Sequence, residues 1–116
     1  MSRSALTPPR LARAAPVFTA LGDETRLYIV SRLCREGPLS ISRLAAGTTL
    51  SRQAVTKHLQ VLADAGLARS GRSGREQLWQ IQARRLGEVR RLLVQISAQW
   101  DEALSRLTAF VELAEP

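Results

Sequence analysis

The stretch 83–114 contains no proline and a single glycine, Gly87, and it repeats one pattern throughout. Leu86, Val89, Leu93, Ile96, Trp100, Ala103, Leu107, Phe110 and Ala114 alternate in steps of three and four residues. That is the two-sevenths seam of an α-helix that packs lengthwise against a second helix. A helix of this extent is roughly 45 Å long, at 1.5 Å per residue. It overhangs any single domain that a 116-residue chain can build. Folding back on the chain's own first helix covers only part of the seam. Val89, Leu93, Ile96, Trp100, Leu107 and Phe110 are therefore expected at a self-association interface, with a second copy of the chain as partner.

Upstream, the chain is punctuated into short pieces. Residues 1–10 read as a flexible basic arm interrupted by Pro8 and Pro9, and 11–116 as one domain. A short helix is expected over Leu11–Leu21, with Pro16 a possible break. Asp23 is a good N-cap for a helix that runs to about Glu36, where Gly37-Pro38 stops it. Leu27, Val30, Leu33 and Cys34 fall on one face of that helix and are expected to be its buried side. Leu39 could begin a short extended piece, and Ile41, Leu44 and Ala45 mark a second, shorter helix. Gly47 sits where a left-handed helix end is common.

Ser51 then caps a further helix, about 51–65, whose inward side is Val55, Leu59 and Leu62. A short helix, a turn of small residues and a capped helix make a helix-turn-helix, whose second helix enters the DNA major groove. Its outward face offers Ser51, Arg52, Gln53, Thr56, Lys57 and Gln60. Arg and Lys suit guanine, Gln suits adenine, and Thr suits a thymine methyl or a phosphate. Two strands are expected over Leu67–Ser70 and Gln77–Gln82, joined by a glycine-rich tip with Arg72 and Arg75. The hairpin as a whole spans about 67–82.

The charge agrees with this division. The chain has 17 Lys and Arg against 10 Asp and Glu, a formal +7, and Lys57 is the only lysine. Residues 1–37 carry +3, residues 38–80 carry +4, and residues 81–116 are balanced. A polyanionic partner is thus expected at the first two thirds, while the neutral long helix has another role.

Several segments resemble the ArsR-type winged helix-turn-helix repressors. Val17-Phe18-Thr19-Ala20-Leu21-Gly22-Asp23-Glu24-Thr25-Arg26-Leu27 is similar to their opening motif. Leu50-Ser51-Arg52-Gln53-Ala54-Val55-Thr56-Lys57-His58-Leu59 resembles their recognition helix, and Leu62–Leu67 resembles its exit. Gly74-Arg75-Glu76 with Leu78-Trp79 is similar to the wing and its return strand. The resemblance implies about five helices with a two- to three-stranded wing, in a homodimer paired through the first and last helices. It also implies a sequence-specific repressor of a palindromic operator, with Arg52, Gln53, Thr56 and Lys57 facing double-stranded DNA and Arg72 and Arg75 on the wing. The single cysteine, Cys34, fits a reducing cytoplasm. Glu24 departs from the proline usual at that position in the family.

Other functions find little support. The segment Leu39–Leu44 lacks the cysteine pair of metal-sensing members, and the last helix has no His. Cys34 and His58 are the only soft ligands, fewer than the three or four a divalent site needs, so neither a metal nor another cofactor is expected. Cys34 is expected as a small core residue and His58 as a packed or hydrogen-bonded one. Trp79 is expected to anchor the wing and Trp100 to fill the dimer seam. No nucleophile elbow, phosphate loop or dinucleotide fingerprint is present, so the chain is not expected to be an enzyme. No apolar run reaches the ~20 residues of a membrane span. The alternatives are a basic RNA-binding protein, disfavoured by five scattered aromatics, and a module whose long helix pairs with another protein.

Overall fold

The computed structural model of the chain describes residues 5–114, so Arg3 of the expected arm lies outside the described residues. The first helix, α1, runs Pro8–Leu21 and begins three residues earlier than expected. Thr7 caps it by accepting from the Arg10 backbone N–H, and Pro8 and Pro9 occupy first-turn positions where a missing N–H costs nothing. Pro16 sits inside α1 without ending it. The next helix, α2, spans Glu24–Glu36 with Asp23 as N-cap. Then come α3, Ile41–Ala46, and α4, Arg52–Asp64, capped by Ser40 and Ser51. The hairpin is β1, Ala68–Ser73, antiparallel to β2, Glu76–Ile81, with Ser70 opposite Trp79. The chain ends in α5, Ala83–Ala114.

Leu39 adds a one-residue third rung to the sheet. It exchanges backbone hydrogen bonds with Trp79 at 3.0 and 2.8 Å, which ties the α2–α3 connection to the wing. The hairpin tip is shorter than expected: Arg72 lies on β1 opposite Gln77, and only Gly74 and Arg75 form the turn. Gly74 has φ +63° and Arg75 has no positive φ, the pattern of a type II′ turn whose twist matches the strands.

One core holds these pieces together. Val17 of α1, Ile29 and Leu33 of α2, Leu44 of α3, and Val55, Leu59 and Leu62 of α4 meet there, joined by Leu67, Trp79 and Val89. The buried face of α2 is thus Ile29, Arg32 and Leu33; of the expected face, Leu33 is buried and Val30 packs against the core, while Leu27 and Cys34 do not. Leu27 is 53% exposed and Cys34 is exposed, which corrects its expected place in the core. Apolar side chains surround more than half of this helix, so packing rather than periodicity selects the face. Trp79 is buried, as expected of the wing's anchor.

Buried Arg32 replaces an apolar side chain at the α2–α3 contact. Its guanidinium donates to Glu36 at 2.8 Å and to the Arg43 and Leu44 carbonyls at 3.1 and 3.4 Å, closing carbonyls at the end of α3. The hydrogen bond from Arg32 holds the Glu36 carboxyl below the usual range. This arrangement explains Gly47, which has φ −87° and not the expected left-handed helix end. A Cβ there would stand 2.6 Å from Arg32 Nη1 and 3.2 Å from the Tyr28 hydroxyl. Gly47→Ala is therefore expected to push Arg32 off its carbonyls and lower stability by about 1–3 kcal/mol, measured by chemical denaturation. An unchanged midpoint would show that the site has room to spare.

Val89 and Leu92 are the only buried residues of α5 among those described. Beyond Ile96 every described residue of α5 is exposed, including Trp100 at 63%, Leu104 at 60% and Leu107 at 58%. The seam therefore begins inside the chain's own core, at Val89, and continues outward as an uncovered apolar stripe. The molecule's longest extent is 68 Å.

Candidate nucleic-acid interface

The position of α4 is set by its buried face and at three points along its length. Val55, Leu59 and Leu62 are fully buried and fix which face turns outward. At its start, the Ser51 hydroxyl accepts from the Ala54 backbone N–H at 3.1 Å. At its middle, His58 Nδ1 lies 3.3 Å from Arg26 Nη1 and 3.9 Å from Asp23 Oδ2, linking α4 to the first turn of α2. Arg26 is itself held by a 2.6 Å bond to the Ala20 carbonyl. The Arg26 backbone N–H holds the Asp23 carboxyl below the ordinary carboxylate value. His58 thus anchors the helix and does not present itself outward. At the C-terminal end, Arg85 donates to the Ala65 carbonyl at 3.4 Å and to the Arg13 carbonyl at 2.8 Å, joining α4, α5 and α1. Sequence reasoning missed Arg26 and Arg85 as supports, because nothing in a single sequence separates a structural arginine from a binding one.

The outward face carries the expected side chains. Arg52, Gln53, Thr56, Lys57 and Gln60 are all exposed. Arg52, Gln53, Thr56 and Lys57 line a shallow groove of about 470 Å³ with Ile41 of α3, which the sequence marks as a helix residue but not as part of this surface. The Thr56 hydroxyl donates to the Arg52 carbonyl at 2.8 Å, one turn back along the helix. Ser51 and Gln60 are more occupied: Ser51 serves as the cap, and the Gln60 amide donates to Asp64 at 3.0 Å. Arg72 and Arg75 are exposed on the wing.

The basic side chains differ in what engages them. Arg26, Arg32 and Arg85 donate to internal carbonyls or acids. Among the described residues, Arg52, Lys57, Arg72 and Arg75 make no hydrogen bond or ion pair through their side chains. Arg43, Arg84, Arg90 and Arg91 are, like those of the reading surface, without a side-chain partner among the described residues. Four uncommitted cations, an exposed capped helix and an arginine-bearing hairpin define a winged helix-turn-helix of the DNA-binding class.

Comparison with known proteins agrees. Residues 21–70 match a helix-turn-helix domain family. An HTH-type transcriptional regulator of Mycobacterium tuberculosis is 33% identical over 95 residues, covering 82% of this chain and 85% of the relative. An ArsR-like transcriptional regulator from Rhodococcus superposes with a TM-score of 0.75 at 38% identity, covering 95% of this chain and all of that one. A homodimeric winged helix-turn-helix DNA-binding domain from Mycobacterium bovis gives 0.64 at 26% identity, covering 85% and 90%. The chain belongs to the ArsR-type winged helix-turn-helix transcriptional regulators and is a DNA-binding regulator of transcription. Among the described residues, no three His, Cys, Asp or Glu side chains gather as a metal site, and no helix is long and apolar enough to cross a membrane.

Proposed function

We propose that the protein is a homodimeric repressor that binds a palindromic operator in double-stranded DNA. In this reading α4 enters the major groove, with Arg52, Gln53, Thr56 and Lys57 at base edges and phosphates. Arg72 and Arg75 grip the flanking backbone or minor groove. The observation that carries it is the exposed outward face of α4, fixed by buried Val55, Leu59 and Leu62 and flanked by the wing, on which Arg52, Lys57, Arg72 and Arg75 are all uncommitted. The exposed apolar stripe of α5 supports self-association, as does the homodimeric state of the Mycobacterium bovis relative. The two half-sites would be about one helical turn, ~34 Å, apart. Nothing in this reading calls for a cofactor, and its setting is the cytoplasm.

Random-site selection with the purified chain supplies an operator for the test. Arg52→Ala and Lys57→Ala are each expected to weaken binding by about 1–3 kcal/mol, with circular dichroism unchanged. A variant that removes a phosphate contact also reduces the steepness of the salt dependence, by about one counterion. If both variants bound like wild type, these residues would not be the reading surface. If structured RNA outcompeted duplex DNA at equal salt, the partner assignment would fall.

A further inference from the structure

The start of α5 and the facing side of α1 enclose a cleft of about 1040 Å³, away from the reading groove. Arg10, Arg13, Arg84, Arg85, Arg90 and Arg91 line it against one acid, Glu88. Glu88 is already engaged by Arg85 at 3.2 Å and Arg13 at 3.8 Å. Arg84, Arg90 and Arg91 are exposed and have no acidic partner among the described residues.

Gly87, the one glycine of α5, also lines the cleft. Glycine weakens a helix interior relative to alanine. Here a Cβ would meet only Arg91 Nη1, at 3.7 Å, so the missing side chain leaves a notch beside a guanidinium. Guanidinium forks pair in bidentate fashion with carboxylate and phosphate. The volume matches the ~300–1,000 Å³ of small-molecule sites.

The α5 wall of the cleft faces away from the apolar stripe. At about 100° per residue, Arg84, Gly87 and Arg91 lie on the opposite side of α5 from Trp100, Leu104 and Leu107.

We propose that this arginine-lined cleft is a binding site for a small multivalent oxyanion, a molecule bearing two or more phosphate or carboxylate groups. The site is distinct from the DNA-reading surface and does not depend on it.

The test titrates the full chain with pyrophosphate and with citrate, against sodium chloride at matched ionic strength. Expected is saturable binding by calorimetry and a saturable rise in the thermal midpoint with at least one of the two anions. The exposed double variant Arg84→Ala/Arg91→Ala should keep the wild-type midpoint without anion and bind at least about tenfold more weakly. Arg72→Ala/Arg75→Ala should retain anion binding, whatever happens to its DNA binding. An equal response to sodium chloride, or loss of the response in the wing variant alone, overturns the proposal. So does a double variant that impairs self-association while wild type binds neither anion, since the cleft would then hold acidic residues of a second copy.

Discussion

Leu104→Glu/Leu107→Glu is expected to sediment as a monomer and to lose about 10²–10⁴-fold in affinity for an operator with two half-sites. Both leucines sit on the overhanging part of α5, 60% and 58% exposed, and neither belongs to the core. Charging them therefore leaves the winged domain folded while making a dry helix–helix contact unfavourable, since two carboxylates would have to be desolvated there. Binding through both reading helices makes the second contact intramolecular, and that advantage disappears with the dimer. Circular dichroism separates the two effects: helicity should persist while the mass halves. A variant that stayed dimeric would move the interface away from this stripe. A wild-type chain that was already monomeric would turn the stripe into a docking face for another protein.

A second large effect lies in the core. Leu59 is fully buried among residues from α1, α2 and α4. Leu59→Ala removes a branched side chain from that contact and leaves a cavity, so a loss of about 2–5 kcal/mol is expected. A domain of this size has only roughly 5–15 kcal/mol in total, so a large share of its stability depends on one residue. Val61, two positions along the same helix, is 40% exposed, and Val61→Ala should stay within about 0.5 kcal/mol. Both are measured by denaturation at one fixed protein concentration, because dimerisation couples stability to concentration. Equal costs at the two positions would contradict the burial that orients the reading helix.

The extent of legibility differs from element to element. The outward face of α4 could be read from sequence because Val55, Leu59 and Leu62 leave one choice of inward side and Ser51 marks the start. The long helix was legible from its period, but the period continues unchanged from Val89 in the core to Leu107 outside it. Repetition alone does not say where a helix leaves the body of a domain. Leu104 and Val111, exposed on the same stripe, were missed for a related reason: an ideal helix drifts against a strict heptad, so neighbouring positions share the seam. Cys34 was misplaced because Leu27, Tyr28, Ile29, Val30, Leu33 and Cys34 allow several faces, and contacts with other helices decide among them. Gly47 looked like a helix-ending glycine, yet its reason is Arg32, fifteen positions away and visible only in three dimensions.

The two tryptophans stand at opposite ends of this architecture, Trp79 buried in the wing strand and Trp100 exposed on the projecting helix. The chain therefore carries two native optical reporters in different surroundings. Trp79 should emit at shorter wavelength and resist iodide quenching until the winged domain itself unfolds. Trp100 should emit like a hydrated indole at high dilution and shift to the blue as copies associate. With Trp100→Phe in hand, one fluorimeter can follow folding and assembly as separate events without any added label. A Trp100 signal that ignored protein concentration would place this ring outside the contact between copies.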